Sequence, residues 1–326
     1  MDVIDRDRSG SSDRRLAQRA LVDAARAYAA ASKAPNTIRA YRSDLRDFEE
    51  WCAGEDVRAL PAAPATIALY LTALAQAGAK ASTLQRRISA LSQAHQLAGH
   101  TPSPTADPLV RATMAGIRRA HGTAPAQKTA LLTAELRQLL AATDPDGSAG
   151  ARDRALLLLG FAGGFRRGEL VSLNVDDLEE TEDGLRVQLR RGKTDQEGQG
   201  REVGIPRGRY PATCPVRAVQ TWRALAGITA GPLFRAVDRH GLVARARLSD
   251  RGVARIVQRA ARRAGLDPAL YAGHSLRAGL ATSAAAGGAS ERAIMAQTGH
   301  RSVIMVRRYI RSGSLFTENA AGYAGL

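Results

Sequence analysis

The stretch HSLRAGLATSAAAGGASERAIMAQTGHRSVIMVRRY, residues 274–309, holds two histidines, an arginine in HSLR, and a tyrosine nine residues after the second histidine. Its apolar spacing predicts helices at 274–286, 290–298 and 302–310. His274 and Arg277 are three residues apart, so both project from one face of the first helix. The stretch therefore predicts a helical framework that carries a set of candidate functional side chains.

Two upstream motifs add cations to this set. Arg166 lies in GFRRGEL, after a strongly apolar helix predicted at 151–161, and Glu169 follows it by about one turn. Lys193, in RGKT, lies on the glycine-rich turn between strands predicted at 185–190 and 202–205. Lysine is otherwise found only at positions 33, 80 and 128, because this chain uses arginine for most of its cations. This rarity favours a functional Lys193 over an ordinary turn lysine.

These residue types fit the cleavage of a phosphodiester, which needs charge stabilisation on the phosphoryl oxygens, an in-line nucleophile and a proton for the leaving oxygen. The guanidinium groups of Arg166 and Arg277 can each bind two oxygens and stay protonated. His274 can accept a proton near neutral pH, and His300 can hydrogen-bond a phosphoryl oxygen. Lys193 can reach a minor groove and protonate the leaving oxygen.

Tyr309 is the candidate nucleophile. A tyrosine hydroxyl has an ordinary pKa of about 10, and flanking cations and a nearby base activate it. Taken alone, a tyrosine on an apolar helix is core packing, a single arginine is a surface residue and a lone histidine is structural; the combination favours chemistry. We predict no metal site, because His274 and His300 have no cysteine or third histidine at ligand spacing.

Composition limits the class of protein. The chain has 326 residues, enough for two domains, and 44% are hydrophobic. Its formal net charge of +16 is typical of proteins that bind nucleic acid. Cys52 and Cys214 lie far apart, which indicates neither a disulfide framework nor a zinc motif. The charged start, MDVIDRDRSG, is unlike a signal peptide, and no apolar run approaches a membrane span. We therefore expect a cytoplasmic protein with no membrane partner.

The chain is predicted to have two folded parts. Residues 1–12 are predicted to be disordered, and 13–121 to form helices, one over about 14–31 and others that start near Asn36, Pro64, Ser82 and Pro108, with Asn36 and Ser82 as N-caps. GTAPAQKT, residues 122–129, reads as a linker. Residues 130–312 combine helices with one small hairpin, and residues 313–326 form a tail.

Arginines off the apolar helix faces are candidate DNA contacts. On the helix predicted at 249–264 they recur every three or four residues, which also fits a solvated face; the net charge favours DNA. The predicted DNA-binding residues are Arg39, Arg42, Arg86, Arg87, Arg251, Arg255 and Arg259.

The motifs, in this order, resemble those of the tyrosine recombinase (phage integrase) family. The family pattern reads GLRxxEL, GK on a hairpin, HxLR, LGH, and a tyrosine nine residues later. Arg167 stands where an apolar residue is usual, Ala278 where a polar one often follows HxLR, and the LGH position reads TGH. HSLRAG and YIR are closer to Cre-like than to Xer proteins. The resemblance implies a mainly α protein: a helical, SAM-like core-binding domain at 13–121 and an α+β catalytic domain at 130–312 with a small antiparallel sheet.

The resemblance also implies a mechanism. Tyr309 attacks the scissile phosphate and forms a 3′-phosphotyrosyl link, without metal, ATP or other cofactor. The implied supporting roles are transition-state stabilisation by Arg166, Arg277 and His300, proton transfer from Tyr309 by His274, protonation of the leaving oxygen by Lys193, and support from Glu169. The implied partners are double-stranded DNA, a homotetramer on two recombination sites with a dimer on each, and an accessory or partner recombinase. The tail at 313–326 would be exchanged between subunits.

Three other functions are compatible with parts of the sequence. A type IB topoisomerase-like enzyme shares this chemistry, but the core-binding region and the tail favour recombination. A DNA-binding protein that has lost catalysis would not need the intact residue set. A generic basic helical protein would explain the charge but not the motifs.

Overall fold

Helices dominate the computed structural model, which describes residues 18, 21–24, 28, 32–123, 128–144, 146–190, 200–313 and 324. The chain divides into two compact units, Met1–Ala126 and Gln127–Leu326. The disorder predicted at 1–12, the predicted turn that carries Lys193, and nearly all of the predicted tail lie outside the described residues. Of the helix predicted at about 14–31, the described residues 18, 21–24 and 28 are helical.

The first unit contains four described helices after residue 32. They are α1 (Pro35–Gly54), α2 (Pro64–Gln76), α3 (Ala81–Leu97) and α4 (Pro108–His121). Proline begins three of them, where its fixed φ suits a helix and its missing N–H costs nothing. The predicted N-caps Asn36 and Ser82 are wrong, because both residues lie inside their helices, after the flanking residues Ala34 and Lys80. Asn36 instead accepts a hydrogen bond from Arg39, 2.9 Å long.

The core of the first unit is built from the apolar faces of these helices. Phe48 packs edge-on against Tyr70, with ring centroids 4.9 Å apart. His95 is fully buried; its Nδ1 lies 2.8 Å from the carbonyl oxygen of Leu91 and its Nε2 accepts the N–H of Ala62 at 3.0 Å. Both ring nitrogens are therefore occupied, as expected of a structural histidine.

The second unit is built around one central helix. Its helices are α5 (Thr133–Ala141), α6 (Ser148–Ala162), α7 (Arg167–Ser172), α8 (Pro215–Leu225), α9 (Asp250–Arg263), α10 (Gly273–Ala286), α11 (Glu291–Thr298) and α12 (Val303–Gly313). α6 is buried on nearly every side, which its run of leucines favours. Gly163 follows its last residue as the C-cap. Ser249 and Ser290 cap α9 and α11 by accepting backbone N–H groups.

Two small antiparallel sheets complete this unit. β1 (Leu178–Glu180), β2 (Gly184–Leu189) and β3 (Arg201–Pro206) form one, in that order. In the β2–β3 hairpin, Val187 pairs with Val203 and Leu189 with Arg201, so the buried residues of both strands share one face. β4 (Arg235–Val237) and β5 (Val243–Arg247) form the other. The hairpin is predicted from the sequence; β1, β4 and β5 are not, because they are short and lack apolar alternation.

No helix among the described residues is both long enough and apolar enough to cross a membrane. The chemistry-bearing residues instead gather where α7, α10, α11 and α12 meet β3 in the second unit.

Candidate active site

Arg166 and Glu169 are held together at the start of α7. The Glu169 carboxylate accepts the backbone N–H of Arg166 at 2.9 Å and its Nη1 at 2.5 Å. Glu169 is buried, whereas the Arg166 side chain is 22% exposed. One edge of the guanidinium is therefore fixed by a charged hydrogen bond, and the rest can face a ligand. Sequence spacing predicts this pair.

Arg277 is buried deeper in the site, on α10. Its side chain is 1% exposed, and Nη1 donates to the carbonyl oxygens of Gly164, at 2.7 Å, and Thr298. Gly164 adopts a left-handed φ of 56°. Nη2 of Arg277 is buried without a hydrogen-bond partner in the described part of the chain. A buried cationic donor with no acceptor is costly unless a ligand supplies one.

Burial, together with the positive charge of the nearby Arg166, lowers the pKa of Arg277 to about 10. The guanidinium is still protonated at neutral pH. Among the described residues its hydrogen-bond acceptors are two neutral carbonyls, so its charge remains available to an anion in the site.

His274 and Tyr309 are in hydrogen-bond contact. His274 Nε2 lies 3.0 Å from Tyr309 Oη, although the residues are 35 apart in sequence. α12 packs on α10 through a small cluster that includes Ala281 and Val306, and this contact brings the two side chains together. Tyr309 is 6% exposed. The spacing is suitable for proton transfer from the hydroxyl to the imidazole.

Both pKa values favour a neutral pair. Burial lowers the pKa of His274, with additional lowering from the positive charges of Arg277 and Arg166. Burial raises the pKa of Tyr309, and Arg277 opposes part of that rise. At neutral pH the hydroxyl is therefore protonated and the imidazole is free to accept its proton once charge develops.

His300 completes the group. α11 ends at Thr298, and the residue that follows, Gly299, has a left-handed φ of 65°. This turn directs His300 back toward the site. The rings of His300 and Tyr309 have centroids 5.7 Å apart. His300 Nδ1 lies 2.7 Å from Thr298 Oγ1. Burial, followed by the charge of Arg277, lowers the pKa of His300 to about 3.

Arg201 is a site residue that sequence reasoning missed. It lies at the first position of β3, 3.7 Å from the Glu169 carboxylate, and donates to the carbonyl oxygens of Gln297 at 3.0 Å and Thr298 at 3.4 Å. It thus connects Glu169 with the turn that carries His300. The sequence signal that could have found it is the alternation of the strand, which places Arg201 on the same face as the buried Val203 and Ile205.

The predicted DNA contacts of the second unit lie on α9. Arg251, Arg255 and Arg259 are all exposed. Arg259 also donates to the buried Asp153 at 2.9 Å, so part of its guanidinium is engaged within the protein. Lys193 lies outside the described residues, and its role stays a prediction.

The predicted DNA contacts of the first unit differ in how far their side chains are engaged by carboxylates of the protein. Arg39 and Arg42 are exposed on α1. On α3, Arg86 pairs with Asp44 at 2.5 Å, and Arg87 donates to Asp47 and Tyr70. The last two arginines therefore also stabilise the contact of α3 with its neighbours. Among the residues that the structure describes, no three His, Cys, Asp or Glu side chains gather as a metal site.

Residues 130–314 match the phage integrase family, and residues 27–100 match the phage integrase N-terminal SAM-like domain. The chain belongs to the phage integrase family. Like the tyrosine recombinases of this family, it is an enzyme of site-specific DNA recombination that cuts and rejoins DNA. The resemblance drawn from the sequence motifs is confirmed.

Two similar proteins illustrate the match. The chain is 44% identical over 291 residues to an integrase/recombinase xerD homolog of Selenomonas ruminantium, covering 89% of this chain and 85% of the relative. It is 26% identical to the recombinase cre of Escherichia phage P1, covering 85% and 84%. Across the whole chain the xerD homolog is thus more similar than cre, although HSLRAG and YIR favour a Cre-like reading.

The fold is also shared with solved structures. The crystal structure of a lambda integrase tetramer bound to a Holliday junction matches with a TM-score of 0.60 and 18% identity, covering 91% of this chain and 78% of that chain. The predicted fold class, a helical N-terminal domain with an α+β catalytic domain, is confirmed. At this identity the structural match bears on fold alone.

Proposed function

We propose that this phage integrase family member cleaves double-stranded DNA by direct attack of Tyr309 on the scissile phosphate. The Tyr309 oxygen bonds to phosphorus, the bond from phosphorus to the 5′ oxygen breaks, and a 3′-phosphotyrosyl link remains. The 5′ hydroxyl of a partner duplex then attacks that link and releases the tyrosine. One phosphoester is exchanged for another, so no energy source is consumed. The 3.0 Å contact between His274 Nε2 and Tyr309 Oη carries this proposal.

Each proton and charge in the reaction has a candidate partner. His274 accepts the proton that leaves Tyr309 Oη. Arg277 Nη2, buried without an acceptor, and the open edge of Arg166 bind the phosphoryl oxygens as negative charge builds up. His300 contributes a further hydrogen bond. Glu169 holds Arg166 in place, and Lys193 protonates the departing 5′ oxygen. We propose that no metal ion takes part.

We propose the following organisation on DNA. Residues 13–121 form the core-binding domain, 122–129 the linker, 130–312 the catalytic domain and 313–326 a segment exchanged between subunits. The family matches at 27–100 and 130–314 support this division. A homotetramer on two sites, with a dimer on each, is supported by the lambda integrase tetramer on a Holliday junction and the lambda integrase dimer on a core site. We also propose an accessory or partner recombinase. The bacterial and phage relatives support the bacterial cytoplasm as the compartment.

The test is adduct formation on nicked suicide duplexes that tile the DNA flanking the native gene. The full chain is incubated with them in EDTA, and covalent protein–DNA species are resolved on a denaturing gel. Wild type should form an adduct, and Tyr309→Phe should form none. Tyr271→Phe is the matched control, since Tyr271 is also 6% exposed; it should react like wild type.

Other outcomes would overturn the proposal in identifiable ways. An adduct that survives in Tyr309→Phe, or maps to another residue, would exclude Tyr309 as the nucleophile. Tight binding with no adduct would indicate a DNA-binding protein without catalysis. Relaxation of any supercoiled plasmid by a monomer, with no recombinant product, would indicate a type IB topoisomerase-like enzyme.

A further inference from the structure

Thr298 occupies an unusual position next to His300. It is the last residue of α11, it is fully buried, and it stands where the family pattern LGH has leucine. Its Oγ1 lies 2.6 Å from the carbonyl oxygen of Ile294 and 2.7 Å from His300 Nδ1. A leucine could make neither contact, so Thr298 supplies a hydrogen bond to a proposed catalytic histidine that the family pattern would not.

The direction of these two hydrogen bonds follows from a count of protons. A hydroxyl has one proton to donate. At 2.6 Å the hydroxyl and carbonyl oxygens need that proton between them, because otherwise their lone pairs would face each other. The proton therefore points to Ile294, a contact from residue i to i−4 that buried threonines often make in helices. Thr298 Oγ1 can then only accept from His300, so Nδ1 must carry a hydrogen.

This assignment limits what neutral His300 can do. A neutral imidazole carries one proton, and here it is on Nδ1, so Nε2 presents a lone pair. A lone pair repels a phosphoryl oxygen rather than binding it. His300 can donate from Nε2 only after it takes up a second proton and becomes an imidazolium.

We infer that Thr298 fixes His300 as the Nδ1–H tautomer, so that binding of the scissile phosphate draws one proton onto Nε2 of His300. The proton uptake on phosphate binding rests on the proposed role of His300 at the phosphate. The Nδ1–H tautomer is a property of the protein without DNA and does not depend on that role. In this view Thr298 is a positioning residue, since it acts on the phosphate only through His300.

The charges around His300 explain why the second proton arrives with the phosphate. α10 contributes His274 and Arg277, and the turn before α7 contributes Arg166. β3 contributes Arg201, and α12 contributes the neutral Tyr309. The nearby carboxylate of Glu169 is engaged by Arg166 and Arg201. These cations oppose a further positive charge on His300, and a phosphodiester anion in the site offsets that opposition.

The first test measures the tautomer directly. The full chain, labelled with ¹⁵N in histidine and free of DNA, is studied by long-range ¹H–¹⁵N NMR near pH 7.5, with His300→Gln to assign the His300 signals. We expect a protonated Nδ1 and an unprotonated Nε2. Thr298→Val keeps the shape but removes the acceptor, so it should shift the proton toward Nε2, whereas Thr298→Ser should resemble wild type. A wild-type proton on Nε2, or no change in Thr298→Val, would overturn the inference.

The second test measures the coupling to phosphate. Single-turnover adduct formation on the suicide duplex is followed against pH in wild type, Thr298→Val and Thr298→Ser. Wild type and Thr298→Ser should lose about tenfold in rate per pH unit above the pKa of phosphate-bound His300, since one proton is required. Thr298→Val should lose less, because its neutral His300 can donate from Nε2. Superimposed profiles would refute the coupling. Absence of any adduct would refute the proposed function while leaving the NMR result intact.

Discussion

Two buried arginines of the second unit show how differently the same side chain can be used. Arg152, on α6, is 4% exposed and donates through Nε and Nη2 to the Asp153 carboxylate, at 2.9 and 2.7 Å. Arg277, on α10, is 1% exposed, donates to carbonyls only, and keeps Nη2 without a partner among the described residues. A structural arginine has its charge neutralised within the fold. Arg277, in the candidate active site, has no such carboxylate contact among the described residues, and we propose that a ligand neutralises its charge.

Arg277→Met should have the largest effect on catalysis and should separate catalysis from stability. Methionine removes the free donor and the charge, so adduct formation should fall by about 10³-fold. Stability should not fall, because an arginine with no direct carboxylate contact carries an uncompensated desolvation cost. Single-turnover kinetics and thermal unfolding of the same preparation measure both effects. A large drop in the melting temperature would show that Arg277 is as structural as Arg152.

Asp153→Asn should have the opposite pattern. It keeps the shape but leaves Arg152 buried without a countercharge, and it removes the partner of Arg259. The free energy of unfolding should fall by about 3–5 kcal/mol. The single-turnover rate at saturating DNA and low temperature should stay within about twofold of wild type, since no contact among the described residues joins Asp153 to the candidate active site. Denaturant titration and adduct kinetics test the pair of expectations; a catalytic loss in fully folded protein would contradict them.

Arg201→Met tests an arginine intermediate between these two, because it touches both a carboxylate and backbone carbonyls. Loss of its contacts to Glu169 and to the turn before His300 should lower the rate at saturating DNA by about 10- to 100-fold through misplacement of the site. Arg201→Lys should recover only part, since an ammonium cannot reproduce the forked contacts. Arg186→Met, on the exposed side of the neighbouring strand, is the matched control and should have no effect.

His300→Gln should have the smallest effect, on stability against pH. The pKa of His300 is lowered to about 3 in the folded protein, so between about pH 6.5 and 3 the unfolded chain binds a proton that the folded chain does not. Wild type should therefore lose stability as pH falls from 6.5 to 5, above the range where most carboxylates titrate. His300→Gln should lose less over the same range in denaturant melts. Parallel curves would show that His300 gains its proton in the folded state.

Much of the candidate site can be predicted from sequence, because few other functions require arginine, histidine and tyrosine side chains at these spacings along the chain. His274, Arg277 and Tyr309 each have an ordinary structural interpretation, yet their spacing on adjacent helices brings them together as expected. Arg201 is different. Its contacts run to α7 and α11, which lie far away in sequence, and only the register of the hairpin aligns it with the buried face of β3.

The helices are predicted better than their ends or the strands. The apolar periodicity of α1 and α3 is clear, but proline and neighbouring alanine or lysine, rather than Asn36 and Ser82, mark their starts. β4 and β5 pair through backbone hydrogen bonds with little buried surface, so their side chains give no periodic signal. Arg86 and Arg87 look like free surface cations until the fold brings carboxylates of α1 beside them.

Gly164 shows what the arginine of the site requires of the backbone. Its carbonyl accepts from Arg277, and its φ of 56° is one that L side chains rarely adopt. A Cβ there would lie 2.9 Å from the side chains of both Leu280 and Thr298, whereas Gly168, a few residues on, has open space. A side chain can therefore be accommodated at position 168, whereas at position 164 it would require both a strained φ and movement of Leu280 or Thr298. Position 164 therefore favours glycine, although this residue offers the substrate no side chain.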